Sequence, residues 1–136
     1  TEHAMKEFEE NQNKMKNIQE TLLSMIQDKI SDIKVNTDIE ISAPHILNIS
    51  FNGVRGEVLL HSLEEKGIYV STGSACASNK KKAYSHVLEE MGLNKRELEG
   101  AIRFSINPWI TEEEVIYVAE ELEGIVRELR AIIDRR

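Results

Sequence analysis

The sequence has one cysteine, four scattered histidines and no long apolar run, and its basic residues are outnumbered. Each scarcity removes a class of function. A lone thiol makes no internal disulfide, so a reducing compartment, the cytoplasm, is expected. Without a second cysteine no zinc-type ligand spacing can be built, and no metal site is expected. No stretch approaches the ~20 apolar residues of a membrane helix, and no signal-peptide pattern opens the chain, so no membrane role is expected. Acidic residues number 24 against 17 basic, a net charge of −7. Phosphate contacts need clustered Lys and Arg, and only Lys80, Lys81 and Lys82 form a run, so no direct nucleic-acid partner is expected. What remains is a globular composition, 40% hydrophobic and 30% charged over 136 residues. That is enough chain to bury a core in one domain.

Hydrophobic periodicity divides the chain into helices and strands. Met15, Ile18, Leu22, Met25, Ile26, Ile30 and Ile33 recur at helical spacing, which predicts one long first helix. Its stripe is thin before Met15, and the chain starts abruptly at Thr1, so its first half is expected to pack on something outside this chain, the alternative being a solvated helix lying along the surface. Ile39 and Ile41 suggest a short edge strand closed by Pro44. HILNISF, residues 45–51, alternates apolar and polar residues like a strand, and Asn52-Gly53 marks a turn. Gly56 to Lys66 reads as an amphipathic helix stopped by Gly67. Residues 68–70 read as a short strand, residues 71–79 (STGSACASN) as a small-residue loop, and residues 83–91 as a helix ended by Gly92. Asn94 with Glu97 is suited to cap one further turn. AIRFSI, residues 101–106, reads as a strand and Asn107-Pro108 as a turn. Thr111 with Glu114 forms a capping box for a last helix. Its expected core face is Val115, Val118, Leu122, Ile125, Val126, Leu129 and Ile132. Strands alternating with helices predict an α/β two-layer sandwich with a small sheet.

Two residues stand out chemically. Cys76 is flanked by Gly73, Ser74, Ala75, Ala77 and Ser78, none bulky enough to shield a thiol, between a strand and a helix where functional loops concentrate. The lysines that follow favour the thiolate, the nucleophilic form. A buried structural cysteine is the plain alternative, since this residue type is often buried. The chemistry is not fixed by the spacing. Position 82 is lysine where a phosphatase loop needs arginine, nothing places His61 or His86 beside Cys76 as a protease base, and no second cysteine is present to resolve a redox sensor. Arg103 lies within AIRFS, either on a solvent-facing strand surface or holding a carboxylate with its planar fork.

With GEVLLHSLEEKGIYVSTGSACAS, VLEEMGL and AIRFSINPWITEEEV in order, the chain resembles the C-terminal small domain of cysteine desulfurases of the NifS/IscS-like kind. These are pyridoxal phosphate (PLP) enzymes of the class V aminotransferase family. The likeness covers roughly residues 44–130. It implies a small, mainly antiparallel sheet packed on helices (the small-domain part of a PLP-transferase type I fold), with residues 1–34 as a connecting helix and residues 35–136 as the small domain. It implies that Cys76 attacks the sulfur of L-cysteine bound to PLP, leaving L-alanine and a persulfide. Ser71, Thr72, Gly73, Ser74, Ala75, Ala77 and Ser78 form the loop that carries the thiol, and Arg103 holds the substrate carboxylate. It also implies a sulfur-acceptor protein in iron–sulfur cluster assembly or tRNA thiolation, and a homodimeric full-length enzyme. The family's cofactor-binding lysine and its neighbours lie in a large domain whose motifs are absent here, so no PLP is expected on this fragment and it is expected to be inactive by itself. A non-catalytic sulfur-carrier or scaffold-docking module, and a selenocysteine lyase-like enzyme, are the alternatives.

Overall fold

A computed structural model of the chain describes residues 2–37, 43–72 and 99–134. In chain order these form helix α1 (Glu2–Lys29), strands β1 (Ile33–Val35) and β2 (Ile46–Phe51), helix α2 (Gly56–Glu65), strands β3 (Ser71–Thr72) and β4 (Ala101–Ser105), and helix α3 (Glu112–Asp134). The strands make one sheet in the order β1-β2-β4-β3, every neighbouring pair antiparallel. One buried cluster joins this sheet to the three described helices: Leu22, Ile26 and Ile30 from α1, Leu47, Ile49 and Phe51 from β2, Leu59 and Leu63 from α2, Ile102 and Phe104 from β4, and Val115, Leu122, Ile125 and Val126 from α3. This is the expected two-layer α/β sandwich with a small antiparallel sheet.

Local chemistry accounts for several boundaries. Thr111 and Glu114 form the capping box of α3: the Glu114 amide donates to Thr111 Oγ1 at 3.2 Å and the Thr111 amide donates to Glu114 Oε1 at 3.3 Å. Each satisfies an amide that the first turn leaves without a partner. The Asn52-Gly53 turn puts Gly53 at φ 81°, a conformation that glycine adopts without steric cost. Gly100, just before β4, is required by crowding. A Cβ there would sit 2.3 Å from the Phe51 carbonyl oxygen, the end of the neighbouring strand. Gln19, fully buried in α1, donates from Nε2 to the Ile46 carbonyl at 2.7 Å and so ties the helix to the start of β2. Arg130 in α3 donates to the Asn52 and Asp32 carbonyls, closing the opposite end of the β1–β2 pair.

Some boundaries differ from those read in the sequence. Ile33 belongs to β1 and not to the first helix, because α1 stops at Lys29 and Asp32 turns the chain with φ 55°. Ile39 and Ile41 lie outside the described residues, as do the helix at 83–91 with Gly92 and the Asn94–Glu97 pair. Residues 68–70 are not a strand: the Ile68 amide donates to Leu63 O, which holds it to the end of α2, and the ladder begins only at Ser71. Ile132 is 52% exposed and outside the core, since α3 there has run past the last apolar contact, at Leu129. On the first half of α1, Met5 and Phe8 are exposed.

Candidate functional site

Strand alternation sorts the sheet into two faces. Leu47, Ile49 and Phe51 of β2 share the helix-packed face with Ile102 and Phe104 of β4 and Thr72 of β3. The opposite face takes Asn48 and Ser50 of β2, Arg103 of β4 and Ser71 of β3. HILNISF alternates apolar and polar residues, yet Leu47 through Phe51 are all buried. Neighbouring side chains on that face account for this: the Asn36 carboxamide lies against both Asn48 and Ser50, and Arg103 stands opposite Asn48.

Arg103 is half-buried in β4, the other interior strand. Its register partners are Asn48 on β2 and Ser71 on β3. The two pairings differ in kind. The Asn48 amide donates to Thr37 Oγ1 at 2.7 Å, and the Asn48 carbonyl accepts from the Asn36 amide at 2.8 Å. Both backbone groups therefore face away from β4, so Asn48 and Arg103 form a pair without mutual backbone hydrogen bonds. Such pairs bring the Cα atoms to about 4.5 Å and the side chains closest together. Behind Asn48, the Asn36 side chain donates from Nδ2 to Asn48 Oδ1 at 2.8 Å and to Ser50 Oγ at 2.9 Å. Asn36, Asn48 and Ser50 are all buried. A polar row thus runs across the sheet from Asn36 through Asn48 to Arg103 and Ser71.

Of the residues singled out in the sequence, the structure brings Arg103 and Ser71 together. Thr72 is in the same strand as Ser71 but opposite Ile102, buried at 6% exposure and facing the helices. Both were expected in the loop. They are the two residues of β3, so the paired part of the chain extends further toward Cys76 than the composition of the segment suggested. Cys76, Gly73, Ser74, Ala75, Ala77 and Ser78 lie outside the described residues, as do Lys80, Lys81, Lys82 and His86. Of the other histidines, His45 O accepts from the Ile106 amide beside the sheet, and His61 lies on α2, 3.7 Å from Glu64. Asn36, Asn48 and Ser50 were not singled out. The signal for Asn48 and Ser50 was the polar alternation of β2, which a half-exposed strand also carries; Asn36, just past β1, carried none.

The donor set on this face is a guanidinium, carboxamides and hydroxyls. It suits a carboxylate, which accepts parallel hydrogen bonds from an arginine fork. Among the described residues, this face of β2 and β4 carries no aromatic ring that could stack a pyridine, and the nearest register lysine, Lys34, pairs with Ser50 two strands from Arg103. Among the described residues no group of three His, Cys, Asp or Glu could hold a metal ion, and no helix is long and apolar enough to cross a membrane. A cleft of about 390 Å³ lies between α1 and the start of α3, lined by Lys14, Ile18, Thr21, Pro108, Ile110 and Val115, among others; Arg103 is not in its walls.

The model of the family described as aminotransferase class-V matches residues 3–118. A cysteine desulfurase IscS from Clostridium botulinum is 38% identical over 131 residues, 95% of this chain and 33% of the relative. A cysteine desulfurase from Nostoc sp. is 43% identical over 115 residues, 85% of this chain and 28% of the relative. Among solved structures, a NifS-like protein superposes with a TM-score of 0.76 at 35% identity, covering 93% of this chain and 30% of its own. A putative sugar aminotransferase from Streptococcus pneumoniae superposes with a TM-score of 0.69 at 15% identity, a likeness of fold. The chain spans about a third of the length of the curated relatives it matches.

Proposed function

Because the chain belongs to the aminotransferase class-V family, we propose that it is the small-domain part of a cysteine desulfurase, carrying the nucleophile and the carboxylate anchor of the active site. The whole enzyme converts L-cysteine to L-alanine. Cys76, as thiolate, attacks the sulfur of the bound substrate. A sulfur–sulfur bond forms, the substrate's carbon–sulfur bond breaks, and the carbon that loses sulfur gains a proton. The sum is cysteine plus enzyme thiol giving alanine plus enzyme persulfide, which balances without an external oxidant. Pyridoxal phosphate supplies the electron sink for the substrate carbon, and it is held by a region outside this chain. An acceptor protein then takes the sulfur for iron–sulfur cluster assembly or tRNA thiolation, in the cytoplasm. The full-length enzyme acts as a homodimer.

The observation that supports this reading is the pairing of Ser71 with Arg103. The strand with the carboxylate-binding side chain is hydrogen-bonded to the segment that leads into Cys76. Cys76 follows Ser71 by five residues, and five residues of chain span at most about 18 Å. A thiol tethered at that length to the strand beside Arg103 has a short reach to a substrate held there. The test is alanine release by the full-length enzyme. Cys76→Ala should abolish it while leaving the visible absorbance of the bound cofactor intact. Activity retained by the variant would remove Cys76 from the reaction.

A further inference from the structure

Burial separates the roles along the polar row. Arg103 is half-buried and presents part of its side chain outward. Asn48 is 6% exposed and Asn36 9% exposed, too covered to meet a substrate themselves. Asn48 is nonetheless the residue directly opposite Arg103 in the closer kind of cross-strand pair, on the same face. Its backbone amide, its backbone carbonyl and its side-chain oxygen are all bonded to residues 36 and 37, so the residue is held on the β1 side at three points, one of them its carboxamide. Asn36 spends its donor end on Asn48 and Ser50, and its own Oδ1, buried, meets no donor among the described residues. Asn36 thus fixes two buried side chains on this face through one carboxamide.

We propose that Asn48 is a positioning residue for Arg103: held by Asn36, its carboxamide sets the direction of the guanidinium and so the carboxylate grip on L-cysteine. A carboxamide oxygen has two acceptor positions. Asn36 Nδ2 fills one, and the second is the one that a guanidinium N–H of Arg103, opposite in register, would occupy. An arginine in a half-covered face has many rotamers, and a neutral acceptor beside its stem removes most of them without neutralising the charge the substrate needs. An aspartate at position 48 would accept the same bond but compete with the substrate for the cation. The inference rests on the reading of Arg103 as the carboxylate anchor.

The experiment is steady-state kinetics on the full-length enzyme with three single variants and one double. Asn48→Ala should raise the KM for L-cysteine about tenfold with kcat within about twofold. Asn48→Asp should raise KM further, although it keeps the acceptor oxygen. The double variant Asn48→Ala with Arg103→Ala should have the KM of Arg103→Ala alone, since the asparagine acts only through the arginine. KM does not depend on how much of a preparation is folded, so a poorly folding variant still gives the readout. If Arg103→Ala raises KM and Asn48→Ala leaves it at the wild-type value, the positioning role is refuted and the function stands. Asn48→Asp matching Asn48→Ala would also refute it, as would additive effects in the double variant. If Arg103→Ala leaves KM unchanged, the anchor reading itself fails, and this inference with it.

Discussion

A guanidinium binds a carboxylate well only if its fork is held in the right plane, and a strand interior is a good place to hold it. Arg103 has a β-strand on each side and a buried asparagine opposite, so little of its backbone is free to shift. Replacing it with lysine keeps the charge and loses the two parallel hydrogen bonds. In the full-length enzyme Arg103→Lys should raise the KM for L-cysteine, by less than Arg103→Ala, with kcat little changed; substrate-saturation curves check this. At this scale the sequence was partly readable. Arginine between Ile102 and Phe104 was visible as a candidate, but alternation could not say whether its face was wet or covered. Asn48 and Ser50 were hidden for the same reason. Their polar chemistry fits an exposed face, and the side chains that cover them, Asn36 and Arg103 among them, come from other parts of the chain.

At the scale of the element, terminal signals were the most readable features. The Thr111–Glu114 capping box is bonded as its spacing implied. Thr111→Ala should lower stability by about 1 kcal/mol, measured by denaturant unfolding. Contacts between distant elements were not readable. Nothing in the local sequence shows that Gly100 lies against the Phe51 carbonyl, because that approach is made by chain 49 residues away. Gly100→Ala should cost about 1–3 kcal/mol through forced backbone movement, read as a lower Tm against wild type. The same limit hid Gln19, whose helical position looks polar and exposed but whose amide fastens α1 to β2. It also shifted β3. The composition of residues 71–79 marked a loop, and pairing with β4 drew its first two residues into the sheet.

For the whole molecule, the fold class followed from the alternation of helical and strand periods, and the observed sandwich has that form. Periodicity could not supply the strand order, because which strands become neighbours depends on contacts across the chain. The chain spans about a third of the relatives it matches, and the proposed function puts the cofactor seat outside it. The isolated chain incubated with pyridoxal phosphate should retain no visible chromophore after gel filtration; a stoichiometric coloured complex would show that the cofactor seat is here. The most direct test of the account is mass spectrometry of the full-length enzyme after exposure to L-cysteine without an acceptor. The Cys76 peptide should gain the mass of one sulfur atom, removable by reductant, with alanine formed in equal amount. Alanine formed in a single turnover while the Cys76 peptide stays unmodified and the sulfur sits elsewhere on the protein would contradict it.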